Sequence, residues 1–154
     1  MGEGGALDTY AVEAFSGTAK AFDVSRYALG RSVPVDVFQG HVEPGDIVLI
    51  LTKYMGPQDE TALPAVKALT NEAAEFLAKV PVRAFGTDAY SVDAVADSAW
   101  PNIHHSFLSR GIPVYEELLN LDKLLDKQRM YFVGVPLNIK SGDGMMVRPV
   151  VFVY

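Results

Sequence analysis

The chain has 154 residues, of which 49% are hydrophobic and 21% charged, enough for one domain with a full apolar core. Its net charge of −6 argues against nonspecific nucleic-acid binding, which needs a basic surface to displace counterions. The absence of cysteine excludes disulfides, zinc–thiolate sites and a cysteine nucleophile.

"MGEGGALDTY" has neither a basic start nor an apolar run, so no signal peptide is read, and residues 1–6 are expected to be flexible. Apolar runs such as "DIVLILT" and "RPVVFVY" are too short to span a bilayer. A cytoplasmic protein without membrane or nucleic-acid partners is the expectation.

Leu7 to Phe15 reads as a strand, and residues 16–46 as short apolar pieces among Gly, Pro and Ser. Pro44-Gly45-Asp46 makes a turn. The β-branched run "IVLIL" then predicts a strand buried on both faces. "MGPQDETALPAVK" is a loop. In "AVKALTNEAAEFLAKV" the apolar residues Val66, Leu69, Ala73, Phe76 and Leu77 form one helical stripe that Pro81 ends. "VRAFGTDAYSVD" is a short strand and loop, "HHSFLSRG" a short helix with Gly111 as C-cap, and "IPVYEEL" another strand. Asn120 is an N-cap candidate for "NLDKLLDKQ". "RMYFVGVPLNI" and "RPVVFVY" read as strands of a hairpin joined by the turn "KSGDGMM". The alternation predicts mixed α/β, with a mixed sheet.

Five segments, "PGDIVLILT", "FGTDAYSVD", "HHSFLSRGIPVYEELLNLDKL", "FVGVPLNI" and "GDGMMVRPV", resemble the cyclase family of metal-dependent hydrolases, which includes kynurenine formamidase and isatin hydrolase. The resemblance runs from Gly45 to Val151. It implies a single swivelling-type α/β domain over residues 1–154, with a mixed, barrel-like sheet flanked by helices. Relative to that family the chain reads as shortened at its N-terminus. The resemblance also implies assembly as a homodimer or higher oligomer.

That family holds its metal on His-x-Gly-Thr-His-x-Asp-x-Pro-x-His. The counterpart here is "FSGTAKAFDVS". Phe15 and Ala19 stand where the resemblance puts histidines, Ala21 where it puts aspartate, and Ser25 where it puts the last histidine. Gly17 and Thr18 keep the glycine–threonine turn. His104, seven residues before Gly111, and Glu116, five after it, match the family's remaining histidine and glutamate.

A divalent metal needs three or more donors, and phenylalanine and alanine have no lone pair to offer. His105 points about 100° away from His104 on a helix. The expectation is no tightly held metal and no cofactor, a weak divalent ion at His104 and Glu116 remaining open. His104 and Glu116 then form either an acid–base pair or a packed relic. Lys20 and Arg26 either replace the lost cation or are solvated surface. Asp88, Tyr54 and Trp100 are candidate pocket residues, the alternative being loop ordering through an Asx turn for Asp88 and core or interface packing for Tyr54 and Trp100. Asp93 is read as a loop-ordering residue, His41 as an exposed loop histidine, and "GDG" at 142–144 as a turn and not a phosphate loop.

Three functions follow: a protein acting on a small carbonyl or amide-type molecule without the family metal, a metal-dependent amide hydrolase such as an arylformamidase, or a non-catalytic binding relative.

Overall fold

The computed structural model describes residues 5–57, 66–94 and 103–154. Among the described residues, eight strands and two α-helices run in the order β1 (Ser16–Asp23), β2 (Gly30–Val33), β3 (Ile47–Leu51), β4 (Lys67–Leu69), α1 (Asn71–Lys79), β5 (Ala84–Thr87), α2 (Ile103–Leu108), β6 (Val114–Tyr115), β7 (Met130–Val133) and β8 (Val150–Val153). Six strands form one mixed sheet in the order β6-β5-β3-β1-β7-β8, and β2 and β4 pair separately. β1, β3, β5 and β6 are parallel, whereas β7 runs antiparallel to β1 and β8 antiparallel to β7. The fold is the mixed α/β arrangement expected. Among the described residues the sheet is open, with β6 and β8 at its margins.

β3 is fully buried, as its β-branched run predicts. Its residues divide by alternation. Val48 and Ile50 pack with Leu77 of α1, Phe85 of β5 and Phe107 of α2. Ile47, Leu49 and Leu51 pack on the other face with Tyr115, Leu118, Met130 and Phe132. Tyr115 reaches across beneath the sheet, where its hydroxyl donates to the Gly134 carbonyl at 2.8 Å and its ring meets Phe132 edge-on.

Several local expectations are corrected. Leu7–Thr9 and Val12–Phe15 are 3-10 turns and not a strand. The Gly- and Ser-containing stretch after them forms β1, the strand that joins the two halves of the sheet. Gly17 and Thr18 therefore lie in a strand and not in a turn. A Cβ on Gly17 would come within 3.2 Å of the Arg83 side chain, so close approach accounts for this glycine. The helical stripe begins late. Lys67–Leu69 is strand, and Thr70 caps α1 by accepting the Ala73 N–H at 3.2 Å.

Asn120 precedes a 3-10 turn, Leu121–Leu124, in the left-handed conformation and makes no side-chain cap bond. β7 and β8 do pair as a hairpin, but residues 134–149 connect them, a span longer than the expected turn. Gly111, at φ +71°, does close α2, with its N–H on Leu108 and the Ile112 N–H on Phe107. No helix among the described residues is long and apolar enough to cross a membrane.

Leu77 is fully buried between α1 and the sheet. Leu77→Ala is expected to lower stability by about 2–5 kcal/mol, read as a lower urea midpoint with an unchanged slope.

Candidate functional site

The carboxyl ends of β6, β5, β3 and β1 place Glu116, Asp88, Thr52 and Asp23 along one edge of the sheet. Open α/β sheets bind ligands at such an edge. Two non-glycine residues beside it take left-handed backbone, Lys53 at φ +55° after β3 and Glu117 at φ +55° after β6. Each such residue costs on the order of 1 kcal/mol and is held here by its neighbours. The Glu117 N–H donates to the Ala89 carbonyl and the Leu118 N–H to the Thr87 carbonyl, which pins the chain just after Glu116.

His104, on α2, lies between two carboxylates. Its Nδ1 is 2.7 Å from Asp93 Oδ2, and its Nε2 is 3.4 Å from Glu116 Oε1. Asp93 also accepts the Ile103 N–H at 2.6 Å, and Glu116 accepts the Val92 N–H at 2.7 Å. Both ring nitrogens face acceptors, an arrangement suited to the imidazolium, which carries a proton on each. Burial acts to lower the His104 pKa. The hydrogen bonds to Asp93 and Glu116, and the attraction of both carboxylates, outweigh it and raise the value to about 9. For Asp93, burial pushes upward, but hydrogen bonds from His104 and the Ile103 N–H leave the carboxyl below its ordinary value. The His104 side chain is 33% exposed, so one side of the ring remains open to a ligand.

The other predicted residues fall in several places. Asp88 accepts from the Thr52 N–H and hydroxyl, both at 2.7 Å, and from the Tyr54 N–H at 3.3 Å, tying the ends of β3 and β5 together. Tyr54 donates its hydroxyl to the Pro57 carbonyl at 2.6 Å. It lines a cavity of about 220 Å³ with Leu29, Thr52, Met55 and Lys67. Lys20 bonds Asp46 at 2.9 Å and the carbonyl of exposed His41 at 2.7 Å. Asp46 precedes β3, so Lys20 reaches toward the end of the sheet opposite to Glu116. Arg26 is exposed and lies over the Tyr27 ring. Trp100 lies outside the described residues.

Phe15 and Ala19, at the positions of the family's histidines, are 4% and 2% exposed and belong to the apolar cluster under the sheet, against which Ala21 also packs. The Ser25 N–H bonds Asp23 at 2.8 Å. The donor set therefore reduces to His104 and Glu116. Two ligands on a tetrahedral ion stand about 3.3 Å apart, and the 3.4 Å between Nε2 and Oε1 matches that spacing. Asp93 sits at the other ring nitrogen, where it cannot share an ion with Nε2. Among the described residues, no group of three or more His, Asp or Glu side chains converges as a metal site. The described residues alone thus supply two of the donors such an ion needs.

Sequence reasoning missed Asp93. It lies ten residues before the start of α2, and the residues between them, partly outside the described ones, give no local signal that they meet.

A family model described as "Putative cyclase" matches residues 2–94, more than half of the chain, which belongs to that family. The fold is shared with isatin hydrolase A from Labrenzia aggregata bound to benzyl benzoate: TM-score 0.79, 23% identity, 97% of this chain and 66% of that one. Isatin hydrolase A from Ralstonia solanacearum gives TM-score 0.75, 25% identity and coverages of 98% and 65%. A "predicted metal-dependent hydrolase" from Bacillus stearothermophilus gives 0.70, 24%, 97% and 70%. This chain spans about two thirds of the length of the isatin hydrolases. Comparison with curated proteins gave no match.

The raised pKa stabilises the fold below about pH 6.5, where His104 would be protonated in both folded and unfolded chains. That contribution is lost as pH rises through about 9. Allowing for a ring one-third exposed, it amounts to about 2 kcal/mol. The expected outcome is a loss of stability between pH 6.5 and 9 that is absent in His104→Gln. In Asp93→Asn, the His104 ring signals followed by NMR should titrate closer to the ordinary histidine range.

Proposed function

We propose that this cyclase-family chain binds, and acts on, a small carbonyl or amide-type molecule at the carboxyl ends of β3, β5 and β6, with His104 and Glu116 in the site and without the family metal. The observation that supports this reading is the seating of His104: paired on both nitrogens, yet a third exposed. An imidazolium so placed can donate toward a carbonyl oxygen and stabilise the negative charge that develops there during attack on its carbon. Asp93 orients the ring, and Glu116, once His104 has given up its Nε2 proton, can take part in returning it. Hydrolysis, lyase and isomerase chemistry all begin with such polarisation. Tyr54 and Trp100 are the aromatic side chains suited to a flat substrate, and Asp88 holds the wall on which Tyr54 sits. Lys20 and Arg26 remain candidates for a substrate carboxylate only if their present partners are exchanged. The molecule is taken to work in the cytoplasm as a single domain and as a homo-oligomer.

One observation favours a second reading, a metal-dependent amide hydrolase. The 3.4 Å separation of Nε2 and Oε1 is that of two ligands on one ion, and a further donor would have to come from outside the described residues or from a ligand.

Isatin, the substrate class named for the structural relatives, is a suitable probe. Chelator-treated protein is expected to open the ring, or to melt at higher temperature in its presence, and His104→Ala and Glu116→Ala should each reduce either effect at least tenfold. Activity that appears only on adding manganese or zinc, with stoichiometric metal by elemental analysis, would establish the second reading instead. A rise in melting temperature without turnover would identify a binding protein. Effects unchanged in both variants would remove His104 and Glu116 from the site.

A further inference from the structure

We propose that Lys53 and Lys67 form a carboxylate-binding subsite in the cavity beside Tyr54, so that the molecule acted on at His104 carries a carboxylate one aromatic ring away from its reacting carbonyl. The inference rests on the proposed site at His104 and names the class of molecule that site takes. The cavity, of about 220 Å³, lies at the carboxyl end of β3, where Leu29, Thr52, Lys53, Tyr54, Met55 and Lys67 line it. Two of these side chains are ammonium groups and, among the described residues, no acidic one lines the cavity, on a chain whose net charge is −6.

Neither ammonium is closely neutralised. Lys67 donates to the Thr52 carbonyl at 2.9 Å, and among the described residues no carboxylate pairs with it. Lys53 stands 3.5 Å from Asp23, with 60% and 40% of the two side chains exposed, which is a loose pair in water. Lys20, by contrast, is held at 2.9 Å by Asp46. The Thr52 hydroxyl already donates to Asp88. The side-chain donors left to a ligand at Lys53 and Lys67 are thus two ammonium groups, which suit the two oxygens of a carboxylate. A phosphate would bring further oxygens without partners. Leu29, Met55 and the Tyr54 ring offer apolar contact to the carbon skeleton beside the charge.

The cavity and His104 belong to one edge and one face of the sheet. β3 and β6 are two places apart in the strand order, so their ends, which present Lys53 and Glu116, are separated by about 10 Å. Val33 of β2, Leu69 of β4 and Phe107 of α2 share one apolar cluster, which puts these three elements on the same face. Tyr54 packs against Val66, Ala68, Ala89 and Ala94, and Ala94 directly follows Asp93, the anchor of His104. Pockets that enclose a whole ligand usually measure about 300–1,000 Å³. A cavity of about 220 Å³ therefore takes the charged end of a molecule whose other end extends to His104.

4-Formamidobenzoate, with a benzene ring between its carboxylate and its amide carbonyl, is the probe, and formanilide is its neutral counterpart. Titration calorimetry of the full chain is expected to show 4-formamidobenzoate binding about tenfold tighter than formanilide. That ratio should fall to about two or less in Lys53→Gly and in Lys67→Met. Glycine readily adopts the φ of +55° found at Lys53, so Lys53→Gly removes the charge while keeping the fold, as its melting temperature will show. 2-Formamidobenzoate, whose two groups are neighbours on the ring, should lose most of the advantage over formanilide. No measurable binding of 4-formamidobenzoate, equal affinity for formanilide, a ratio unchanged in both variants, equal binding of the 2-isomer, or tighter binding of inorganic phosphate would each overturn the proposal. Because the readout is binding, the two readings separate. Carboxylate preference without turnover would keep this subsite and remove the catalytic role of His104. Turnover of formanilide without that preference would keep the role and remove the subsite.

Discussion

The double pairing of β1 organises the molecule. Its far half, Ala19 to Asp23, pairs parallel with β3, and its near half, Ser16 to Thr18, pairs antiparallel with β7. One strand thereby joins a parallel α/β half to an antiparallel hairpin. The same strand carries most of the stretch that the sequence resemblance sets against the family's metal motif. Side chains two apart on a strand share a face, so Ala19 and Ala21 point together into the cluster that also holds Phe15, Leu49, Tyr115 and Phe132. These residues give the sheet a dry inner surface there. A histidine reintroduced at Ala19, which is 2% exposed, would have to be hydrated or paired in that cluster.

The consequence falls on His104. In a metal site an imidazole must present a lone pair, and it must be neutral to do so. Here Asp93 and Glu116 face both nitrogens, and their combined attraction overcomes the burial that would otherwise deprotonate the ring. One cation between two carboxylates leaves the cluster with a single net negative charge, compared with two if the ring were neutral. The proton therefore supplies positive charge between the two carboxylates. An imidazolium is a weaker Lewis-acid substitute than a divalent metal, but it can donate a hydrogen bond, and it can lose its proton during a reaction.

What could be read in the sequence followed the strength of local periodicity. "IVLIL", the helix after Thr70, Gly111 and the two C-terminal strands carry patterns that tertiary contacts only reinforce. β1 was not legible because its alternation is carried by Gly17, Ala19 and Ala21, residues too small and too common in loops to register as a buried face. β4 was hidden because Val66 and Leu69 happen to continue the helical stripe of α1, and only the Thr70 cap marks the boundary. The candidate site divided in the same way. His104 and Glu116 stand at fixed distances from a glycine and were visible. Asp93 meets His104 from eleven positions away, and its alternative use, bonding its own neighbours, is what aspartates in such sequences usually do.

The spacing at Glu116 connects the two functional readings. At 3.4 Å from Nε2, Oε1 is too far for a strong charge-assisted bond, whereas Asp93 closes to 2.7 Å on the other side of the ring. The ring is therefore anchored by Asp93 and only loosely held by Glu116, whose position is set by the Val92 N–H and by the turn at Glu117. That looseness matters for chemistry. A substrate carbonyl can compete for the Nε2 proton without breaking the contact that orients the imidazole. A cation could also enter at the same point once that proton is gone. Which of the two happens is decided by coordination number. A carbonyl oxygen needs one donor, which His104 can offer; an ion needs at least three ligands, and no such group converges among the described residues.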